Sequence, residues 1–433
     1  MKSLALQLLD EFDSHVSAKV FLYRHVNELK WGLVKLDKGF TGLHCAAYLG
    51  IDEIAEALLE IKDWDVVKPD FIGCTPLIWA SKNGCEGIIK LLLGKVPASV
   101  DIKDTKTGQT PLSWAARCRQ EGAVKLLLEQ NGVNPESRDH GDRTPLSYGA
   151  QFGSQWIVEL LLARGEVSPE SRDEDGRTPL SYAAEWGREG ALKLLLEREE
   201  VNPESRDDWG RTPLSYAAED GKEGVLELLL EREEVNPESR DNSGRTPLSH
   251  AAWGGGEGPL RLLLGREEVN PESRDDDGRI PLSHAAFGGN EGVLKLLLER
   301  EEVNPESRDN SGRTPFSYAA WCELERPGAL KLHFELEQVN PESRDDSGRT
   351  PLSHAASTCQ GEEAVKLLLE REEINPESRD DSGRHRFPMR PAHPRARGQL
   401  SCFWNGRRLI PNREIIMVQH RSPMRPRVGV RGY

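Results

Sequence analysis

Three histidines, His250, His284 and His354, share one place in a repeating text, each four residues after the first residue of a Thr-Pro-Leu triplet or its Ile-Pro-Leu variant. A ladder of imidazoles could ligate a metal, and that is the first chemistry to weigh. Geometry argues against it. Equivalent positions on neighbouring units lie about 10 Å apart, the packing distance of helices, whereas two ligand nitrogens on one zinc must approach to ~3.5 Å given bonds of ~2.1 Å. Tyr148, Tyr182, Tyr216 and Tyr318 occupy the same place in other units, so the position reads as an amphipathic packing site. The abundant serines recur as structural letters, with no G-x-S-x-G elbow to expose a nucleophile. Asp275, Asp276 and Asp277 lack the glutamate that would close a calcium loop twelve residues on, so they read as a solvated turn tip. No G-x-x-x-x-G-K-[ST] phosphate loop occurs. The expectation is a chain that is no enzyme and takes no cofactor, metal or small-molecule substrate.

What positions these residues is a repeat. Ten anchors, Thr41, Thr75, Thr110, Thr144, Thr178, Thr212, Thr246, Ile280, Thr314 and Thr350, follow one another at intervals of 34 residues, apart from one of 35 and one of 36. The phrase N-P-E-S-R-D occurs seven times, from Asn134 to Asn375, and Ser168 opens an eighth variant. In the unit anchored at Thr212, the threonine suits a helix N-cap and Pro213 the first helical turn, where its missing N–H costs nothing. Leu214, Ala217 and Ala218 make an apolar stripe at helical spacing, and glycines near Gly221 break the helix. A second helix through "EGVLELLLERE" places Val225, Leu228, Leu229 and Leu230 on one face, and Asn236-Pro237 is expected to end it. One such unit cannot bury its leucines alone; stacked copies bury them against each other. The arginine and aspartate of S-R-D are expected to pair along the stack, at under ~1 kcal/mol for each exposed pair.

Composition narrows the class further. The 433 residues carry a net charge of −15, but residues 385–433 hold 11 Arg, no Lys and one acid, which leaves −25 on the first 384. An acidic body does not suit nucleic-acid backbones and does suit a partner with basic segments. The seven cysteines form no C-x-x-C pair and do not follow the repeat, which points away from a disulfide framework and towards a reducing compartment. The segment "MKSLALQLLDEF" lacks the length and flanks of a signal peptide, and no apolar run approaches the ~20 residues of a membrane span. The expected location is intracellular, cytoplasmic or nuclear.

The signature "DxxGRTPLSxAAxxGxEGxLxLLL" resembles the ankyrin repeat family, with its T-P-L-H-x-A-A pattern, over about residues 38–384. The resemblance implies an all-α solenoid of about ten helix-turn-helix units with short hairpin loops, used as a protein–protein interaction scaffold. His44 keeps the family's histidine, whereas the other units put Ser or Ile78 at that place, so the family's Thr–His bond is in question there and the serine is expected to bond locally. "HVSAKVFLYRHV" and "GFTGLHCAAYLGIDEIAEALLEIKDWD" are similar to the region where fungal NACHT-type or nephrocystin-type signalling ATPases pass into their ankyrin tails. That similarity implies an alternative role, the detached recognition arm of such an ATPase with the catalytic domain outside this chain.

Three segments follow: an N-terminal helical cap or remnant of an upstream domain over 1–36, the array over 37–384, and a basic Arg/Pro-rich tail over 385–433. The break after Arg384 reads as an out-of-frame end, with a basic arm as the functional alternative. The unit anchored at Thr314 is expected to be the soft point of the stack. It carries two extra residues around "WCELERPG", and His333 where its neighbours have a core leucine such as Leu229. The copies differ most at the turn tips and just after the Ala pair. The candidate binding residues are therefore Trp186, Asp208, Trp209, Asp220, Trp253, Asp276, Asp277, Phe287 and Trp321: aromatic anchors rimmed by acids, facing a basic or mixed protein segment.

Overall fold

A computed structural model describes residues 39–61, 65–321, 328–334, 338–357 and 362–383. The expected 1–36 cap, the 385–433 tail and the insertion at residues 322–327 lie outside the described residues. Within them the protein is all-helical. Twenty α-helices form ten pairs, with one 3-10 turn, Pro97–Asp101, and no strand among the described residues. Each first helix packs on the first helices of the neighbouring units, and each second helix on its own first helix; second helices also pack on one another from Asp52–Ile61 through Gly328–Phe334.

Local sequence explains each element. Before the helix Pro213–Glu219, the Thr212 hydroxyl oxygen accepts from the Ser215 amide, and Pro213 takes the first position. The same cap recurs from Thr75 to Thr350 except at Ile280, which has no oxygen to offer. The family's Thr–His pair is intact in the first unit: Thr41 Oγ1 lies 2.8 Å from His44 Nδ1, and His44 Nε2 reaches the Cys74 carbonyl of the next unit. Elsewhere the serine bonds locally, as Ser215 does with Thr212 at 3.2 Å. Leu214, Leu229, Leu248 and Leu263 are fully buried, as are Ala217 and Ala218. A buried leucine contributes on the order of 2 kcal/mol, and the core repeats it in every unit.

The second helix departs from expectation in two ways. It spans Glu223–Leu230 and stops well before Asn236-Pro237. The chain turns after Leu230 and sinks Val235 into the stack, which a continued helix would carry away from it. The helix end is also capped from the next unit: Arg266 Nη2 donates to the Leu230 carbonyl at 3.0 Å, and Arg198 does the same for Leu162. Within the helix Leu226 is fully buried and Leu228 only half-buried, so the core stripe runs Val225, Leu226, Leu229, Leu230.

Every polar letter of N-P-E-S-R-D has a partner. Asn202 Oδ1 accepts from the Glu204 amide and closes the turn. The Asn202 amide and Ser205 hydroxyl donate to Glu170 of the unit before, at 3.1 and 2.8 Å. Arg172 Nη1 donates to the Gly176 carbonyl of its own loop and to the Arg206 carbonyl of the next. The expected ion pairs along the stack are therefore not what forms. The arginine caps main-chain carbonyls between units, while the aspartate pairs within its unit, as Asp241 does with Arg245 at 2.8 Å. The phrase repeats because its Asn, Glu, Ser and Arg each bond to a neighbouring copy.

Candidate functional site

The turn tips are fixed to the first helices by one recurrent bridge. In the Thr212 unit, Asp207 Oδ1 accepts from the Trp209 and Arg211 amides, and Asp207 Oδ2 accepts from the Tyr216 hydroxyl nine residues on, at 2.5 Å. Tyr182 and Tyr318 repeat the arrangement with Asp173 and Asp309; His250, His284 and His354 do so through Nε2 with Asp241, Asp275 and Asp345. Trp79 and Trp114 use their indole N–H on Asp70 and Asp104. From the second unit on, the place four after the anchor thus holds a packed ring with a hydrogen-bond donor at its edge, which tyrosine, histidine and tryptophan all supply; the first unit has Cys45 there. Packing at this position is borne out, and the aspartate that selects the ring is the part sequence reasoning missed. No group of three or more potential ligands that could hold a metal occurs among the described residues. Neighbouring tips are joined by one main-chain bond each, such as Asn242 N–H to the Trp209 carbonyl at 2.8 Å. Gly210 permits this approach: its φ is +76°, and a Cβ there would lie 2.4 Å from Asn242 Oδ1.

Seven places after the anchor, at the end of the first helix, a second row runs along the stack, and in seven units its residue meets the ring of the following unit. Tyr48 meets Trp79 edge-on at 5.4 Å, and the Lys82 ammonium lies 4.0 Å from the Trp114 ring centre. The Arg117 guanidinium lies 5.7 Å from that of Tyr148, and Glu219 lies 3.3 Å from His250 Nδ1. Trp253, Phe287 and Trp321 meet His284, Tyr318 and His354 in turn. Each of these row residues stays half-buried or exposed, so the row seals the stack with one side and presents its chemistry with the other.

The candidate residues fall into three groups. Trp253, Phe287 and Trp321 form a continuous aromatic strip: Trp253 stacks on Phe287 at 5.4 Å, and Phe287 meets Trp321 edge-on at 5.7 Å. Trp186, one place further along its helix, pairs instead with Phe152 at 6.4 Å. Trp209 stands on its tip against Arg211 alone, at 5.2 Å. Trp186, Trp209 and Trp253 are 44%, 47% and 43% exposed, an unusual state for rings of that size. Asp208, Asp220, Asp276 and Asp277 are exposed as well. Phe152, Lys82 and Arg117 belong to the same surface and were missed; their register in the repeat was the signal that could have found them.

The electrostatics of the buried rings differ with the row. Burial pulls the imidazole of His250 towards neutrality, but hydrogen bonds to Asp241 and Glu219 outweigh it and raise its pKa. His354 faces Trp321 instead; burial, with Arg349 nearby, lowers it to about 4. The thiols of Cys45, Cys74, Cys85 and Cys118 are free, and burial pushes each up, that of Cys45 to about 12. No helix among the described residues is long and apolar enough to cross a membrane.

Short helix pairs, stacked in register and tied tip to tip, define a helical-repeat solenoid with an open row of side chains. The chain belongs to the ankyrin repeat family. The model of three ankyrin repeat copies matches residues 14–106, 96–173, 142–207, 191–268 and 251–332, and that of a single ankyrin repeat matches 347–381. Among curated proteins none matches. Ankyrin repeats are in general protein–protein interaction modules and typically non-catalytic.

Proposed function

We propose that this protein is a non-catalytic recognition scaffold, cytoplasmic or nuclear, whose first-helix ends and turn tips take a protein segment rich in basic residues. The observation that carries the reading is the strip Trp253–Phe287–Trp321, half-open to solvent, on a stack whose turn tips carry exposed acids such as Asp276 and Asp277. Exposed tryptophans on an interface are the side chains whose truncation costs most affinity. The test replaces Trp186, Trp209 and Trp253 together by alanine in the full chain. Capture of the native cellular partner per folded molecule should fall at least tenfold while the helical signal is retained. Undiminished capture would remove this face from the function. The second reading, the recognition arm of a NACHT-type signalling ATPase, rests on the resemblance of the first units. It predicts that the gene continues upstream into a nucleotide-binding domain, while this chain alone binds no nucleotide.

A further inference from the structure

The row seven after the anchor changes character in blocks along the stack. Tyr48, Lys82 and Arg117 come first, then the neutral Gln151, then Glu185 and Glu219, then Trp253, Phe287 and Trp321. The cations are held over rings: Lys82 between Trp79 and Trp114, at 4.3 and 4.0 Å, and Arg117 beside Trp114 at 5.1 Å. Neither makes an ion pair with a carboxylate among the described residues, so each retains capacity for an incoming anion. In the acidic block Glu185 and Glu219 touch Arg177 and Arg211 at 3.8 and 3.6 Å, but those arginines are also held by Asp173 and Asp207; Glu219 also meets His250 Nδ1 at 3.3 Å, which leaves Glu185 the less compensated of the two. Asp220, exposed next to Glu219, and the tip acids Glu174 and Asp208 add negative charge with no ion pair to a described cation. Burial and then the Glu219 charge push the Asp220 carboxyl up, with Lys222 and Arg211 offsetting them in part, and a cation from outside would add to that offset.

Resting on the reading above, we infer that this row recognises one extended peptide with its side chains in a fixed order: acidic residues against Lys82 and Arg117, basic residues against Glu185, Glu219 and Asp220, and an aromatic or aliphatic end on Trp253–Phe287–Trp321. Units repeat about every 10 Å and an extended chain rises ~3.3 Å per residue, so each unit faces three residues. The seven steps from Lys82 to Trp321 then ask for roughly twenty. A partner with the charges in the other order sets like charges against each other in both charged blocks. The order of blocks, more than the total charge, sets the specificity.

The test uses two labelled synthetic peptides of twenty-one residues and identical composition. In one the thirds run acidic, basic, aromatic; in the other the acidic and basic thirds are exchanged. Binding to the full chain is read by fluorescence anisotropy at low and high salt. The first peptide should bind at least tenfold tighter at low salt, with the ratio shrinking as salt screens the charged blocks. Asp220→Lys, at an exposed position that leaves the fold intact, should weaken the first peptide several-fold and not the second. Trp253→Ala should weaken both equally. If both peptides bind alike and Trp253→Ala weakens both, the order is wrong and the aromatic face stands. If neither binds, or Trp253→Ala changes nothing, the inferred track is overturned; capture by the triple tryptophan variant then judges the face separately.

Discussion

Arg172 Nη1 lies 2.6 Å from the main-chain oxygen of Arg206, 34 residues further along the chain. The acceptor is a neutral carbonyl. Such a bond contributes about 1 kcal/mol, and no ion pair stands behind it for salt to screen. Arg172→Ala should therefore destabilise the chain by about 1–2 kcal/mol in chemical denaturation. The loss should be the same in dilute buffer and in about 1 M NaCl, where the Debye length falls to ~3 Å. A loss that vanishes in high salt would restore the charge-pair reading of the S-R-D motif.

What the sequence discloses is what is decided locally. Thr212 caps, Pro213 starts and Leu214 buries, because each acts within one turn of its own position. The contacts of Glu170 with Asn202 and Ser205 are not legible in this way. In a text of near-identical copies, any acid is compatible with any serine until the loop path is known. The bridge from Asp207 to Tyr216 is hidden for a related reason, since nine residues apart corresponds to no helical or strand period. The binding row was half-legible. Its aromatic and acidic members stand out by size and charge, while Lys82 and Arg117 become part of it only when the stack sets all ten units in register.

His333 is the weak point the sequence singles out, and the structure shows why. The ring is fully buried beside Phe316, its Nδ1 meets the Ala329 carbonyl at 2.8 Å, and its Nε2 has no hydrogen-bond partner among the described residues. A buried polar atom without a partner costs about 1–3 kcal/mol, and the equivalent Leu229 carries none of that cost. His333→Leu should stabilise the protein by that amount at neutral pH. The gain should grow on acidification. Burial holds the folded imidazole down to about 4, while the unfolded chain titrates near 6.5. A depressed histidine contributes stability above the unfolded pKa and loses it as pH falls towards the folded one. By pH 5 the added gain is roughly 2 kcal/mol. Amide exchange over residues 328–334 should also be faster than over Glu223–Leu230 in the parent and slow in the variant. Equal exchange in the parent would remove the weakness.

His250 should titrate in the opposite sense. Asp241 and Glu219 face its two nitrogens, Arg245 shares the Asp241 Oδ2 with it and opposes the shift, and the imidazole pKa is still raised above its ordinary value. The lowered carboxyls of Asp241 and Glu219 agree with a charged pairing. A raised histidine contributes stability that is complete below the unfolded value of about 6.5 and is lost as pH rises through the folded pKa. The stability difference between the parent and His250→Gln should therefore shrink from pH 6 to pH 9. For His354→Gln it should move the other way, shrinking as pH falls below 6.5. Long-range proton–nitrogen NMR of the imidazoles reads the same contrast directly. A His250 ring that is neutral at pH 6 would refute it.

Trp209 and Trp253 separate sealing from recognition. Both are more than two-fifths exposed, yet their inner contacts differ. Trp209 touches one guanidinium at its own turn tip, an interaction worth about 0.5–1 kcal/mol at an exposed site. Trp253 stacks on Phe287 and meets the His284 ring edge-on, so it joins two units. Aromatic pairs of this kind are worth about 0.5–1.5 kcal/mol each beyond the area they bury. Trp209→Ala should leave the denaturation midpoint nearly unchanged, and Trp253→Ala should lower stability by about 1–3 kcal/mol. If exposed aromatics serve only to seal the stack, the effect of each on partner binding should follow its effect on stability, and Trp209→Ala should do nothing to either. The recognition reading requires the two measurements to part company at Trp209, with binding weakened severalfold in a variant whose stability is intact. Loss of binding only where stability is also lost would mean the tip carries no recognition, and the partner's contacts would retreat to the Trp253–Phe287–Trp321 strip.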